Sequence, residues 1–404
     1  MRYHKPCKLH YRIAQAACWV VSKTIFRNRV LRNEIKGVTG PYVVIANHQC
    51  AYDFVNLICA TARPMSFVIS NSFYNSLPIR GFLQKMGVIP KQQFQTTVAD
   101  MKNMKAVIDH DAPLVIYPAG LMCEDGLSTP IPSATFKFLK WLGADVYVAR
   151  SRGSYFVMPK WSKGMRPGRT TIDIYKLFSK EDLAQLPIAD IQAATCSALL
   201  FDAYREQEVA PQRYRHGSHI QGLEHILYIC PHCGKEFTIT ASDAHTLTCT
   251  ACGYAQRSDE YGFLHNDAGL GPEIRYISDW SRQIFKKQKD ALRQHPGATL
   301  SAETTFRMLH HKQSKFVDVG SGSISLSEDG FRITGTIHGE AVDLTVPVGT
   351  IPTLPFSPGK YLEIQHGSDI YRCVLTDGKL VMKFINMVKI FYELRTEELT
   401  EATP

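Results

Sequence analysis

Apolar and polar positions along the first half of the chain fall into two kinds of block. Short β-branched or apolar runs recur at residues 42–46, 66–70, 113–117, 145–150 and 170–178. Each has the length and composition of a buried strand. Between them lie stretches with helical spacing, at 54–62, 79–86, 97–110, 132–143 and 189–208. In the third of these, Val98, Met101, Met104, Val107 and Ile108 share one face. Ser133 is placed to cap the fourth and Gly143 to stop it. Strands alternating with helices predict an α/β domain with a mostly parallel sheet, flanked by helices. In such sheets ligands bind at the carboxyl ends of strands.

The pattern changes further on. Residues 209–224, with Pro211, Arg213, Arg215, Gly217 and Gly222, read as a linker. Residues 272–294 carry an imperfect apolar stripe and read as a helix. From about residue 300 to 398, short strands are separated by turns such as Glu328-Asp-Gly330 and Thr376-Asp-Gly378. A helical stretch at 380–394 closes that region. Several strands and one closing helix resemble a small pleckstrin-homology-like barrel in architecture. The expected organisation is therefore a leader at 1–36, an α/β domain at 37–208, the linker, a small module at 225–256, a connecting helix at 270–296 and a β-rich domain at 300–398.

Composition adds three constraints. A chain of 404 residues with 45% hydrophobic and 21% charged content has room for more than one globular core. Nearly all of the net charge of +9 sits in the leader, where nine Lys and Arg side chains from Arg2 to Lys36 face Glu34 alone. The apolar patch around Trp19, Val20 and Val21 is too short to span a bilayer. No small-residue cleavage site follows it. A basic, partly apolar helix lying in a membrane interface is the expectation, with the chain cytoplasmic and peripheral on the inner face of an anionic membrane. A solubilising tail is the plainer alternative.

The eleven cysteines fit a reducing compartment rather than a disulfide scaffold. Seven are scattered. Cys230-Pro-His-Cys233 and Cys249-Thr-Ala-Cys252 pair two C-x-x-C knuckles fifteen residues apart. That spacing resembles a four-cysteine zinc ribbon, with all four thiolates as ligands and no open position for catalysis. The ribbon is either a docking or nucleic-acid module or a metal-stapled spacer. Nucleic acid ranks last as a partner, because no aromatic and basic stripe flanks the knuckles.

The chemistry centres on the end of the first run. The strand stops at Asn47-His48, and Asp53 follows one helical turn later. A His leaving a strand with a carboxylate five residues on can form a base and its orienter. Equally, His48 can cap the next helix while Asp53 complements its dipole. The residues alone leave both readings open.

N-H-x-x-x-x-D behind an apolar strand resembles the first motif of the glycerolipid (lysophosphatidate) acyltransferases. Residues 78–90 resemble that family's second block, and Leu114-Val-Ile-Tyr-Pro-Ala-Gly120 its F-P-E-G block. The likeness covers roughly residues 20 to 205. It implies transfer of a fatty acyl group from acyl-CoA or acyl-carrier protein to a hydroxyl of a lysophospholipid or glycerol phosphate. It also implies His48 as base and Asp53 as its orienter. Asn47, Pro118 and Gly120 lie in the motif blocks. Backbone N–H groups at the helix start after His48 and at the Gly120 turn are candidates to hold the oxyanion. The departures are Ala119 for the family's Glu, and Gln93 and Met122 where Arg is expected. Lys91, Arg150, Arg152 and Lys160 are left as basic residues for the acceptor, and Glu124 and Asp125 as replacement carboxylates or a solvated rim. A catalytically weak lipid-binding scaffold is the alternative to the enzyme.

Overall fold

The computed structural model describes residues 3–93, 96–310, 315–348, 351–367 and 369–401. Arg2 of the basic leader, and residues 311–314, 349–350 and 368 of the expected β-rich region, lie outside the described residues. The chain divides into two compact units: residues 1–160, 164–217 and 260–262 form the first, and 161–163, 218–259 and 263–404 the second.

In the first unit, helix α1 (Lys8–Thr24) is followed by strand β1 (Arg29–Asn33), β2 (Tyr42–Ala46) and α2 (Asp53–Ile58). Then come β3 (Ser66–Ser70), α3 (Asn71–Ser76), α4 (Arg80–Lys85), β4 (Ile89–Lys91) and α5 (Val98–Asp109). β5 (Leu114–Ile116), α6 (Ala134–Leu142), β6 (Asp145–Arg152), the single turn α7 (Ser154–Val157) and β7 (Thr171–Phe178) follow. The short helices α8 (Lys180–Gln185), α9 (Ile188–Leu199) and α10 (Ala203–Val209) complete it. The seven strands form one sheet in the order β1-β7-β6-β2-β5-β3-β4. Every pairing is parallel except β6 with β7. This is the mixed, mostly parallel α/β sheet that the pattern predicts.

β2 is buried at all five positions, between β5 and β6. Its alternate residues feed two cores, as the period of two requires. Val43 and Ile45 join Leu114, Ile116, Val146 and Val148 against α5, α6 and α9. Tyr42, Val44 and Ala46 join Tyr147, Ala149, Ile172 and Ile174 on the face that α1 and α2 cover through Tyr11, Leu57 and Ile58.

Three local expectations are corrected. The helix of the leader ends at Thr24, and residues 29–33 are an edge strand paired with β7. The expected long helix at 189–208 breaks after Leu199. There Ser128 N–H donates to Phe201 O, Ala203 N–H donates to Gly126 O, and the Asp202 carboxylate caps α10. Ser133 makes no side-chain cap, whereas Thr97 and Asp100 form a reciprocal capping box on α5. Gly143 does end α6, at φ +63°, the left-handed conformation that suits glycine.

The second unit begins with a four-stranded antiparallel sheet: β8 (Ile239–Ala241), β9 (Thr246–Cys249), β10 (Ala255–Ser258) and β11 (Leu264–His265). Helix α11 (Ile277–Gln294) follows. A seven-stranded sheet then comprises β12 (Leu300–His310), β13 (Lys315–Ser327), β14 (Gly330–Ile337), β15 (Glu340–Val346), β16 (Phe356–Ser357), β17 (Tyr361–His366) and β18 (Asp369–Leu375). Its order is β15-β14-β13-β12-β18-β17-β16, all antiparallel. Helix α12 (Leu380–Glu401) closes it, burying Val381, Phe384, Ile385 and Val388. Trp280 of α11 is 1% exposed and donates its indole N–H to Ile229 O. Lys383 of α12 pairs with Glu236. The module that carries the knuckles, α11 and the β-rich sheet are thus packed as one unit.

Candidate active site and metal centre

The site of interest lies where β2, β5 and β6 end side by side. After Ala46 the chain turns tightly. Asn47 is buried and fastened to the neighbouring strand end, donating to Ser151 O at 2.8 Å and accepting from Ser151 N–H at 2.8 Å. This leaves His48 as the first residue beyond the sheet. Asp53, the first residue of α2, is 2% exposed. Its Oδ2 accepts from Gln49 N–H at 2.7 Å and Cys50 N–H at 2.9 Å, and lies 3.0 Å from His48 Nδ1. Its Oδ1 accepts a weaker bond from the Cys50 thiol. The turn thus wraps around one carboxylate, which offsets the cost of burying its charge.

An ionised carboxylate only accepts, so it places the proton of a neutral imidazole on Nδ1 and leaves Nε2 as an acceptor. His48 does not cap α2. The N-cap position is Tyr52, and no side chain bonds there. The His48 side chain keeps 22% of its surface exposed, so its ring is reachable from solvent. Tyr117, at the end of β5, lies against that ring with centroids 4.5 Å apart.

The backbone donors proposed for an oxyanion are engaged elsewhere. Gln49 and Cys50 N–H serve Asp53, and Gly120 N–H donates to Tyr117 O at 2.9 Å within its turn. Gly120 O in turn accepts from the Gln93 side chain at 2.8 Å. Pro118 is buried in the same turn and Ala119 is half-buried.

The remaining basic candidates lie apart from the dyad's hydrogen bonds. Arg150 Nη2 is 2.7 Å from Glu206 Oε1, and Arg152 Nε is 3.8 Å from the same oxygen. Lys91 donates to Gln92 O, and burial holds its pKa below the ordinary lysine value against the opposing pull of Asp100. Lys160 is half-buried. Glu124 and Asp125 are 6% and 8% exposed, so they are no solvated rim.

Several residues of this region carried no signal in the sequence. Cys123 N–H donates to His48 O at 3.1 Å and its thiol approaches Gln49 O, tying the loop after β5 across the dyad turn. Burial, then Asp125, Glu124 and Asp53, push the Cys123 thiol well up; burial and Asp53 do the same to Cys50. Both therefore stay protonated and are poor nucleophiles. Gln49 is fully buried, and its Oε1 accepts from Tyr155 N–H at 3.2 Å at the start of α7. Tyr155 Oη accepts from Tyr204 Oη at 3.3 Å. Arg166, 4% exposed, donates to Gly217 O, and burial brings its pKa down to about 10. Only the aromatic at position 117, within the F-P-E-G-like block, was discoverable from a motif. The others come from segments distant in sequence.

A mostly parallel α/β sheet that closes a strand-end His onto a buried Asp defines the class: an α/β domain with a solvent-reachable His–Asp dyad. Residues 24–160, about a third of the chain, match the family model described as Acyltransferase. Through this segment the chain is similar to the acyltransferase family. No curated protein matches the chain. Among solved structures, it is similar to the 1-acyl-sn-glycerophosphate (LPA) acyltransferase PlsC from Thermotoga maritima, with 13% identity, a TM-score of 0.41, and coverage of 50% of this chain and 79% of that one.

The four knuckle cysteines converge in the second unit. The sulfurs of Cys230, Cys233, Cys249 and Cys252 all lie within 4.8 Å of one another. Cys230 to Cys252 is 3.7 Å and Cys233 to Cys249 is 3.8 Å. A tetrahedron with Zn–S bonds of about 2.3 Å has S···S edges of about 3.8 Å, so the donor set fits zinc. Gly234 and Gly253 N–H donate back to Cys230 O and Cys249 O, closing the two knuckle turns. Burial raises the Cys249 pKa, but the Thr238 hydroxyl and the Ala251 and Cys252 N–H groups outweigh it and bring it to about 6. Zinc here would staple the fold, since four protein sulfurs leave no position for a substrate. Elemental analysis of the purified chain is expected to find about one zinc per molecule. A content near zero in protein never exposed to chelator contradicts the assignment.

Proposed function

We propose that the first unit transfers a fatty acyl group from a thioester donor, acyl-CoA or acyl-carrier protein, to a hydroxyl of a glycerolipid acceptor in phospholipid synthesis. The resemblance points to a lysophospholipid or glycerol phosphate. The observation that carries the reading is the 3.0 Å contact of His48 Nδ1 with the buried Asp53 carboxylate at the end of the central strand. His48 Nε2 takes the acceptor's hydroxyl proton as its oxygen attacks the thioester carbonyl carbon. Asp53 holds the tautomer and stabilises the imidazolium. The tetrahedral oxyanion collapses, the C–S bond breaks, and the imidazolium returns the proton to the departing thiolate. The four clustered cysteines belong to the second unit and are not among the residues of this step. The lipid-binding scaffold is the second reading, favoured by Ala119 and by the arginines engaged with Glu206.

The acceptor is a membrane lipid, and among the described residues no helix is long and apolar enough to cross a bilayer. We assign surface binding to α1 and β1. Leu9, Ile13 and Val20 form an exposed stripe on α1, beside Trp19, with Lys8, Arg12 and Lys23 exposed alongside. Val30 and Leu31 of β1 are exposed as well. Apolar insertion plus attraction of cations to an anionic leaflet suffices for reversible binding. The location is then the cytoplasmic face of the membrane.

Two outcomes follow. His48→Ala is expected to lower acyl transfer about a hundred-fold to ten-thousand-fold while its circular dichroism stays unchanged. A variant as active as the parent with labelled acyl-CoA and lysolipid makes His48 structural. Trp19→Ser with Val20→Ser is expected to weaken sedimentation with anionic vesicles at any salt, and added salt to weaken the parent. Equal binding by the double variant moves the membrane contact elsewhere.

A further inference from the structure

We propose that Tyr117 is a positioning residue for the base: its ring backs the His48 imidazole and holds Nε2 toward the acceptor. This deepens the acyl-transfer reading and rests on it. Two points of His48 are fixed by other residues. Its carbonyl accepts from Cys123 N–H at 3.1 Å, and its Nδ1 lies 3.0 Å from Asp53 Oδ2. A hydrogen bond at one ring nitrogen sets a distance, yet the ring can still roll about the Nδ1···Oδ2 line. Rolling carries Nε2 through an arc, because Nε2 lies off that line. The side chain keeps 22% of its surface exposed, and solvent on that side offers no rigid stop. Tyr117 supplies the missing constraint. Its ring lies over the imidazole, with centroids 4.5 Å apart and planes inclined by 34°.

The fold fixes Tyr117 in turn. β5 runs parallel to β2 with Ile116 opposite Ile45, so the two strands end side by side. Val115 and Tyr117 alternate onto the face that also takes Val44 and Ala46. Pro118, buried next in the chain, disfavours helical backbone at position 117. Tyr117 O accepts from Gly120 N–H at 2.9 Å. The hydroxyl is not the acting part. Tyr117 Oη is buried and has no hydrogen-bond partner among the described residues. Burial, then Asp53 and Cys50, hold its pKa well above the ordinary phenol value, so it stays protonated and takes no proton. What meets His48 is the ring, and phenylalanine would supply the same ring.

The purified full chain would be given labelled acyl-CoA with monoacylglycerol, lysophosphatidylethanolamine or lysophosphatidate, and kcat and KM measured for the best acceptor. Tyr117→Leu is expected to lower kcat about ten- to hundred-fold and to change KM by less than about twofold. Tyr117→Phe is expected to keep the parent kcat and to melt no lower, since it deletes only an unbonded buried hydroxyl. In a His48→Ala background, Tyr117→Leu is expected to change the residual rate no further, because nothing is left to position. A merely structural role would lower that residual rate as well, which counts against the proposal. Should Tyr117→Leu not fold, Tyr117→Met fills the same space with a flexible side chain and carries the same expectations. A loss in Tyr117→Phe as large as in Tyr117→Leu makes the hydroxyl the acting group and overturns the proposal. His48-dependent transfer that is indifferent to Tyr117→Leu overturns it while sparing the acyl-transfer reading. Absence of His48-dependent transfer to every acceptor removes both.

Discussion

The arrangement depends on one buried carboxylate. Asp53 accepts two backbone N–H bonds from the turn it terminates and holds His48 Nδ1 with the same oxygen. Charge-assisted hydrogen bonds of this kind contribute roughly 1.5–3 kcal/mol each, and a buried carboxylate without them would be strongly destabilising. The turn therefore has a strong reason to adopt one shape. That shape fixes the ring of His48 beyond the sheet, fixes its tautomer, and starts α2. The surrounding sheet supplies the rigidity. β2 is central and fully buried, and Asn47 fastens its end to β6 through Ser151. Strand ends that cannot shift relative to each other give the dyad a stable platform.

Legibility from sequence followed locality. The five residues of β2 were readable because a run buried on both faces is continuously apolar. The four-cysteine cluster was readable because each knuckle's cysteines are close in sequence, and only the fifteen-residue spacing had to be bridged. β1 was not, since its exposed, basic sequence becomes a strand through pairing with β7 about 140 residues away. The break between α9 and α10 was hidden for the same reason: residues 126–128 supply the bonds that interrupt the helix. At the site, the motif located His48 and Asp53. It did not show that Gln49 reaches Tyr155, that Cys123 closes over the turn, or that Glu124 and Asp125 are buried. Nor did it show that the Gly120 N–H is consumed by its own turn.

The two units divide their tasks. The first carries the segment that matches the acyltransferase model, with its His48–Asp53 dyad and the exposed apolar edge of α1 and β1. The second holds a cluster of four cysteine sulfurs and helices and antiparallel sheets with Trp280, Tyr228 and Phe384 buried among them. Four sulfurs would complete the coordination of a zinc ion, so such a centre would contribute folding energy and no reactive position. In the proposed transfer the chemistry belongs to the dyad, and it requires that Nε2 of His48 be an acceptor.

That requirement is open to direct observation. In protein labelled with 15N at histidine, long-range 1H–15N correlations distinguish the two neutral tautomers of His48, with the His48→Ala spectrum assigning the signals. The account predicts that neutral His48 carries its proton on Nδ1, facing Asp53, and that Asp53→Asn disturbs this preference. A neutral His48 protonated on Nε2 in the parent protein would contradict it.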